Sequence, residues 1–273
     1  MHRSLEKVLQ YDRWVIIALL VTVTISSWLF VIKGAGTGMS AAMMTGINLA
    51  TRGGMRMPAE MPSWTFAYAI IMFFMWWIMM IAMMLPSVAS VVLLYSALIR
   101  RSQSSSKAPQ SASTFLLGYL TAWAFFSLLA TALQWLGELR GLMSPMNMTL
   151  THHLLASTVL ILAGVYQFTP WKESCLKHCQ SPMQFLTERR RPGLKGAFLM
   201  GIDHGAYCLG CCWFLMALLF VGGIMNLYWI IGLTVYVLME KLILNQLWSK
   251  LSKLMGLVLV FSGVGLLLNQ WLS

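Results

Sequence analysis

Residues 197–221 read AFLMGIDHGAYCLGCCWFLMALLFV. The stretch contains one acid, one histidine and no lysine or arginine, and it exceeds the roughly 20 residues that a helix needs to cross a bilayer. Outward from it, further apolar runs lie near 14–33, 65–96, 114–136, 150–168, 225–244 and 254–272. The expected fold is all-α, a polytopic transmembrane helix bundle of about seven helices. The run at 150–168 is short, and only Gly222, Gly223 and their neighbours separate the run at 197–221 from the next. Counts of six or eight therefore stay open.

Composition excludes a soluble domain: 59% of residues are hydrophobic and 10% charged, against about a quarter charged in soluble domains. The net charge of +11 follows from topology, since cytoplasmic loops are enriched in Lys and Arg. With the N-terminus cytoplasmic, the inner side holds Arg3, Lys7, Arg13, Arg100, Arg101, Lys107, Lys172, Lys177, Arg189, Arg190, Arg191, Lys195, Lys241, Lys250 and Lys253. Only Lys33, Arg52, Arg56 and Arg140 fall outside, a division of 15 to 4. The expected location is a bacterial inner membrane, with the bilayer as partner, and nothing in the charge calls for nucleic acid. The first apolar run is about 20 residues long and more spans follow it, so it reads as a retained anchor rather than a cleaved signal.

The chain reads as one transmembrane domain over 1–273. Residues 1–13 form a cytoplasmic N-terminus. Residues 34–63 form a Met-rich outer segment with Met39, Met43, Met44, Met55, Met57 and Met61, and an interfacial helix is expected around 40–49. Residues 102–113, rich in Ser, Gln and Ala, have the composition of a flexible cytoplasmic linker. Residues 169–196 form a basic cytoplasmic loop carrying a cysteine pair.

The chemistry is concentrated at 201–213. A charge at the centre of a membrane helix costs roughly 2.5 kcal/mol or more, so ionisable groups there are rarely kept without a function. At about 100° per residue, His204, Cys208 and Cys211 project from one helical face, flanked by Asp203 and Cys212. Thiolate and imidazole at this spacing suit Cu(I) or Zn²⁺, and thioether neighbours favour Cu(I) over zinc. Small buried thiols that only pack are the competing reading. Gly196, Gly201, Gly205 and Gly210 would let a partner helix approach closely. The candidate partner is the run at 65–96, where Met72, Met75, Met79 and Met83 form one stripe beside Met84, and Pro86 removes a backbone donor just below it. A methionine stripe alone is ordinary packing; beside cysteines it becomes a candidate thioether ligand set.

Three further groups bear on the reading. Cys175 and Cys179 share a helical face at i and i+4, with His178 beside them, either as a soft-metal pair, a thiol relay or two structural thiols. Met143, Met146, Met148, His152 and His153 are expected on the outer side, as a copper-capturing surface or as ordinary interfacial residues. Glu240 is expected to face the bundle as an acid ligand or proton acceptor, while Lys241 snorkels to the cytoplasmic surface. The sequence contains no Gly-rich phosphate loop, no Gly-x-Ser-x-Gly turn, no His-Glu-x-x-His pattern and no Cys-x-x-Cys-His haem attachment.

Ala82-Met83-Met84-Leu85-Pro86-Ser87, Lys172 to Cys179, Gly205 to Trp213, Gly222 to Asn226 and Glu240-Lys241 together resemble a bacterial family of predicted metal-binding integral membrane proteins of unknown function, over roughly residues 65–245. The resemblance implies metal binding at Met83, Met84, Cys175, Cys179, His204, Cys208, Cys211, Cys212 and Glu240. The leading expectation is a membrane protein that binds Cu(I) and serves copper transfer, loading or sensing, with a copper chaperone or other membrane subunits as partners. A membrane oxidoreductase using copper or a thiol relay is the second reading, and a structural subunit of a larger complex the third.

Overall fold

The computed structural model describes residues 2–37, 40–52, 64–102, 108–145, 148–243 and 246–272. The described residues are helical apart from a two-residue antiparallel pairing and short connections. In chain order the elements are α1 (His2–Ile32), α2 (Ala41–Arg52), α3 (Phe66–Ser102), α4 (Ala108–Leu139), β1 (Met143–Ser144), β2 (Thr149–Leu150), α5 (His153–Tyr166), α6 (Pro170–Gln180), α7 (Pro182–Glu188), α8 (Gly193–Ala217), α9 (Leu219–Gly222), α10 (Leu227–Leu242) and α11 (Gln246–Leu272). Met143 pairs with Leu150 in the small hairpin.

Five described helical segments are long and apolar enough to cross a membrane: Trp14–Ile32, Phe66–Arg100, Ala108–Leu139, Gly193–Gly222 and Ser249–Asn269. A sixth arises if α5 and α6, which meet at a 64° bend, are taken as one broken span. The expected count of about seven included the run at 225–244. That run folds as α10, whose 16 residues extend only about 24 Å against a hydrocarbon core of about 30 Å. Pro170 causes the bend. Proline in a helix interior removes one backbone hydrogen bond and its ring crowds the preceding turn, kinking or breaking the helix, but it suits the first turn of a new one, and Thr169 caps α6 by accepting from the Lys172 N–H.

Two expectations about connections are corrected. Residues 108–113 are the first turns of α4, so the linker is shorter than 102–113. The loop expected over 169–196 is mostly helical: α6 and α7 fold back onto the bundle, and Lys172 and Cys179 are buried rather than solvated. Helix α2 covers the residues around 40–49. Of the group Met143, Met146, Met148, His152 and His153, Met143 and Met148 are core residues, His152 and His153 are exposed, and Met146 lies outside the described residues. Met39, Met55, Met57 and Met61 also lie outside them.

The tightest helix pair is α4 against α8, joined through glycine. A Cβ on Gly118 would strike the Phe198 carbonyl oxygen, and one on Gly201 would strike the Phe115 carbonyl oxygen. At Gly205 a Cβ would come within 2.6 Å of the Ala122 side chain. Between α3 and α4 a polar ladder satisfies groups that lipid cannot. Trp76 Nε1 donates to Gln134 Oε1 (2.9 Å), Gln134 Nε2 donates to Glu138 Oε1 (2.9 Å), and Trp64 Nε1 donates to Glu138 Oε2 (2.7 Å).

A buried thiol cluster as candidate metal centre

Helix α8 carries His204, Cys208, Cys211 and Cys212 into the interior, all at most 3% exposed. Their i, i+4 and i+3 spacing aligns the first three on one face, as expected from the sequence. Helix α6 supplies a fourth thiol. The Cys179 side chain is buried and faces the thiols of Cys208 and Cys211. Cys175, one turn earlier, is half-buried and packs against Gly210, where an added Cβ would lie 2.7 Å from its Sγ. The bend between α5 and α6 therefore brings the second cysteine pair to the first. All five thiols are free.

The remaining walls come from three other helices. From α4, the Tyr119 hydroxyl lies 3.1 Å from Cys208 Sγ and within 3.4 Å of the Met84 carbonyl of α3. From α10, Lys241 Nζ lies 2.8 Å from Cys208 Sγ and 3.8 Å from Met84 Sδ. This corrects the expectation that Lys241 snorkels to the surface: it points inward and is 6% exposed. Among the expected thioethers, Met84 reaches this group, while Met79 and Met83 are buried in the hydrophobic core of the same helix.

Glu240 is drawn elsewhere. Its Oε1 accepts from Lys172 Nζ (2.5 Å), Ser252 Oγ (2.8 Å) and the Tyr236 hydroxyl (3.3 Å), and Lys172 also donates to Gln167. Both members of this ion pair are buried, Lys172 at 3% and Glu240 at 1% exposure. Adjacent residues on a helix diverge by about 100°, so Glu240 turns towards α6 and α11 while Lys241 turns towards α8. Glu240 is thus part of a separate ion pair rather than a direct neighbour of the thiols. Asp203 also faces away, pairing with Arg191 (3.2 Å) and Arg189 (3.9 Å). Arg189 donates to the Tyr207 hydroxyl (2.6 Å), and the His178 ring stacks on Tyr207 at 4.2 Å. Asp203 therefore belongs to a basic and aromatic surface group one residue removed from His204.

The donor set is chemically suited to a soft ion, because thiols, a thioether and an imidazole share one buried cluster. One atom in particular lacks a partner. His204 Nδ1 is buried without a hydrogen bond, its ring held by Phe185 (5.0 Å between centroids) and Tyr119 (5.9 Å). A buried polar nitrogen without a partner is costly unless something binds it. The thiols themselves do not converge: Cys211 Sγ and Cys212 Sγ both donate to the Cys208 carbonyl, at 3.1 and 2.8 Å. Among the described residues no group of three or more His, Cys, Asp and Glu side chains is arranged to hold a metal. What stands at Cys208 is a cation of the protein's own, Lys241.

A family model described as PpoB2, copper chaperone, matches residues 73–266, from the second turn of α3 to the last turns of α11. The chain belongs to the PpoB2 copper-chaperone family. The matched region contains every residue of the cluster, and its copper-related character agrees with the family resemblance read from the Ala-Met-Met-Leu-Pro-Ser and Cys-Leu-Gly-Cys-Cys-Trp segments. No curated protein and no solved structure matches the chain.

Sequence reasoning missed Lys241 and Tyr119 as neighbours of the thiols, and Lys172 as the partner of Glu240. The available signal was Glu240-Lys241 within an otherwise apolar run, since an ionisable residue at membrane depth is a functional candidate by default. Tyr119 was detectable through Gly118, the small residue that admits α8.

Proposed function

We propose that this protein binds Cu(I) at the buried cluster formed by Cys179, Cys208 and Cys211, with Cys212, His204 and Met84 around them, and passes it to a partner as a membrane-embedded copper chaperone. The observation that carries the reading is the meeting of thiols from two separated segments, α6 and α8, in a pocket that also offers a thioether and an unpartnered imidazole nitrogen. Membership of the copper-chaperone family supports copper as the cargo. Sulfur donors favour the cuprous ion over zinc, for which thioether is a poor ligand.

In this reading the protein is a multi-pass protein of the bacterial inner membrane with its N-terminus in the cytoplasm, as the Lys and Arg asymmetry indicates even without the buried Lys172 and Lys241. Transfer proceeds by ligand exchange. Cys175, the half-buried thiol at the edge of the group, meets the incoming or outgoing ion, and Cys179, Cys208 and Cys211 hold it once Cys211 turns from the backbone. His204 supplies the nitrogen donor. Met79, Met83, Asp203 and Glu240 support the pocket or its surroundings rather than ligating.

The test is elemental analysis of detergent-purified protein after Cu(I) reconstitution, beside Cys208→Ser/Cys211→Ser. Copper bound by the wild type and lost in the variant supports the reading. Equal copper in both, or none in either, overturns it.

A further inference from the structure

Among the described residues Lys241 has no acidic partner of its own. The carboxylate next to it in sequence, Glu240, is committed to Lys172, and the groups that meet the Lys241 ammonium are Cys208 Sγ at 2.8 Å and Met84 Sδ at 3.8 Å. It is 6% exposed, so water does not compensate its charge. An ammonium held between a thiol and a thioether stands where a soft monovalent cation would stand. Building on the copper reading above, we propose that Lys241 is a resident cation that occupies the metal position in the empty protein and is exchanged for Cu(I) on loading.

The exchange follows from charge and space. Two positive ions within contact distance repel strongly in a low-dielectric interior, and Cys208 Sγ cannot present the same lone pair to both. The Cys208 thiolate therefore exchanges its hydrogen bond from the Lys241 ammonium for a bond to copper, Cys179 and Cys211 each release their thiol proton to bulk water as they ligate, and the copper stays cuprous throughout. Lysine suits this movement, being a compact charge on a flexible four-carbon stem.

Two consequences distinguish this device from a simple empty pocket. At Cys208 one monovalent cation replaces another, so Cu(I) leaves the charge balance of that sulfur unchanged, whereas Zn²⁺ brings one more positive charge than the ammonium it displaces; Lys241 thus acts as a specificity residue. The returning ammonium also competes for Cys208 at release, so the site gives up its cargo without having to be left empty.

The test is amine-reactive labelling of the full-length protein in detergent, read residue by residue by mass spectrometry with and without Cu(I), using the exposed Lys253 as internal reference. The expected result is a several-fold rise in Lys241 labelling on copper loading, no change at Lys253, and no rise in Cys208→Ser/Cys211→Ser. Lys241→Met should still bind Cu(I) and should lose about tenfold or more of its preference for Cu(I) over Zn²⁺. Copper bound with Lys241 labelling unchanged overturns the exchange and leaves the copper reading standing. Absence of copper binding overturns that reading itself.

Discussion

Removing one partner of the Lys172–Glu240 pair should destabilise the protein far more than removing both. The two atoms are 2.5 Å apart and the side chains are 3% and 2% exposed, so each charge is compensated almost wholly by the other. Breaking a buried pair typically costs about 3–5 kcal/mol, while replacing both members by apolar residues is often neutral or stabilising. The local network refines this. After Lys172→Met, Glu240 retains the Ser252 and Tyr236 hydroxyls, so the loss should lie near the lower end, about 3 kcal/mol. After Glu240→Leu, Lys172 retains Gln167 and the Tyr236 ring face at 5.9 Å but no opposite charge, and the loss should lie nearer 5 kcal/mol. For a chain of this size 1 kcal/mol corresponds to about 2–4 °C in melting temperature, giving single-variant losses on the order of 10 °C. The assay is thermal unfolding in detergent of both single variants and the Lys172→Met/Glu240→Leu double variant, treated as a cycle. A double variant that melts close to wild type confirms the coupling. Single-variant losses of only a few degrees that add in the double variant would refute it.

Gly201→Leu should prevent α8 from seating on α4, because the first added carbon already strikes the Phe115 carbonyl, whereas Gly232→Ala, with nothing within 4 Å, should leave the melt within about 2 °C of wild type; the comparison is read by detergent size exclusion and thermal unfolding. Maleimide labelling should modify the half-buried Cys175 first, while Cys208, Cys211 and Cys212 react only after denaturation. Cu(I) at a hundred times its dissociation constant should stabilise the folded protein by about 2.7 kcal/mol, and chelating the metal should reverse the gain; Cys208→Ser/Cys211→Ser should show neither effect.

The all-helical class, with helices long and apolar enough to cross a membrane, was legible because it rests on length and hydropathy, which survive any arrangement of the helices. Cys208, Cys211 and His204 were legible as one face because α8 is a single unbroken helix in which spacing determines direction. Other features depend on angles that spacing does not encode. Pro170 signals a break, but only the 64° bend it produces brings Cys179 to the α8 thiols. The sequence shows that Glu240 and Lys241 diverge, not that both point inward, one to an ion pair with Lys172 and the other to Cys208. The methionine stripe of α3 suggested that helix as the main partner of α8. The closest partner is α4, where Gly118 and Gly201 remove the side chains that would hold the two backbones apart.

The most direct test of the central claim is X-ray absorption at the copper edge on the Cu(I)-loaded protein, beside Cys179→Ser. Sulfur-dominated coordination that loses one sulfur in the variant is the expected result, because Cys179 arrives from α6 to complete the α8 set. Coordination by nitrogen and oxygen alone, or a sulfur count unchanged by Cys179→Ser, would contradict a copper site built between the two helices.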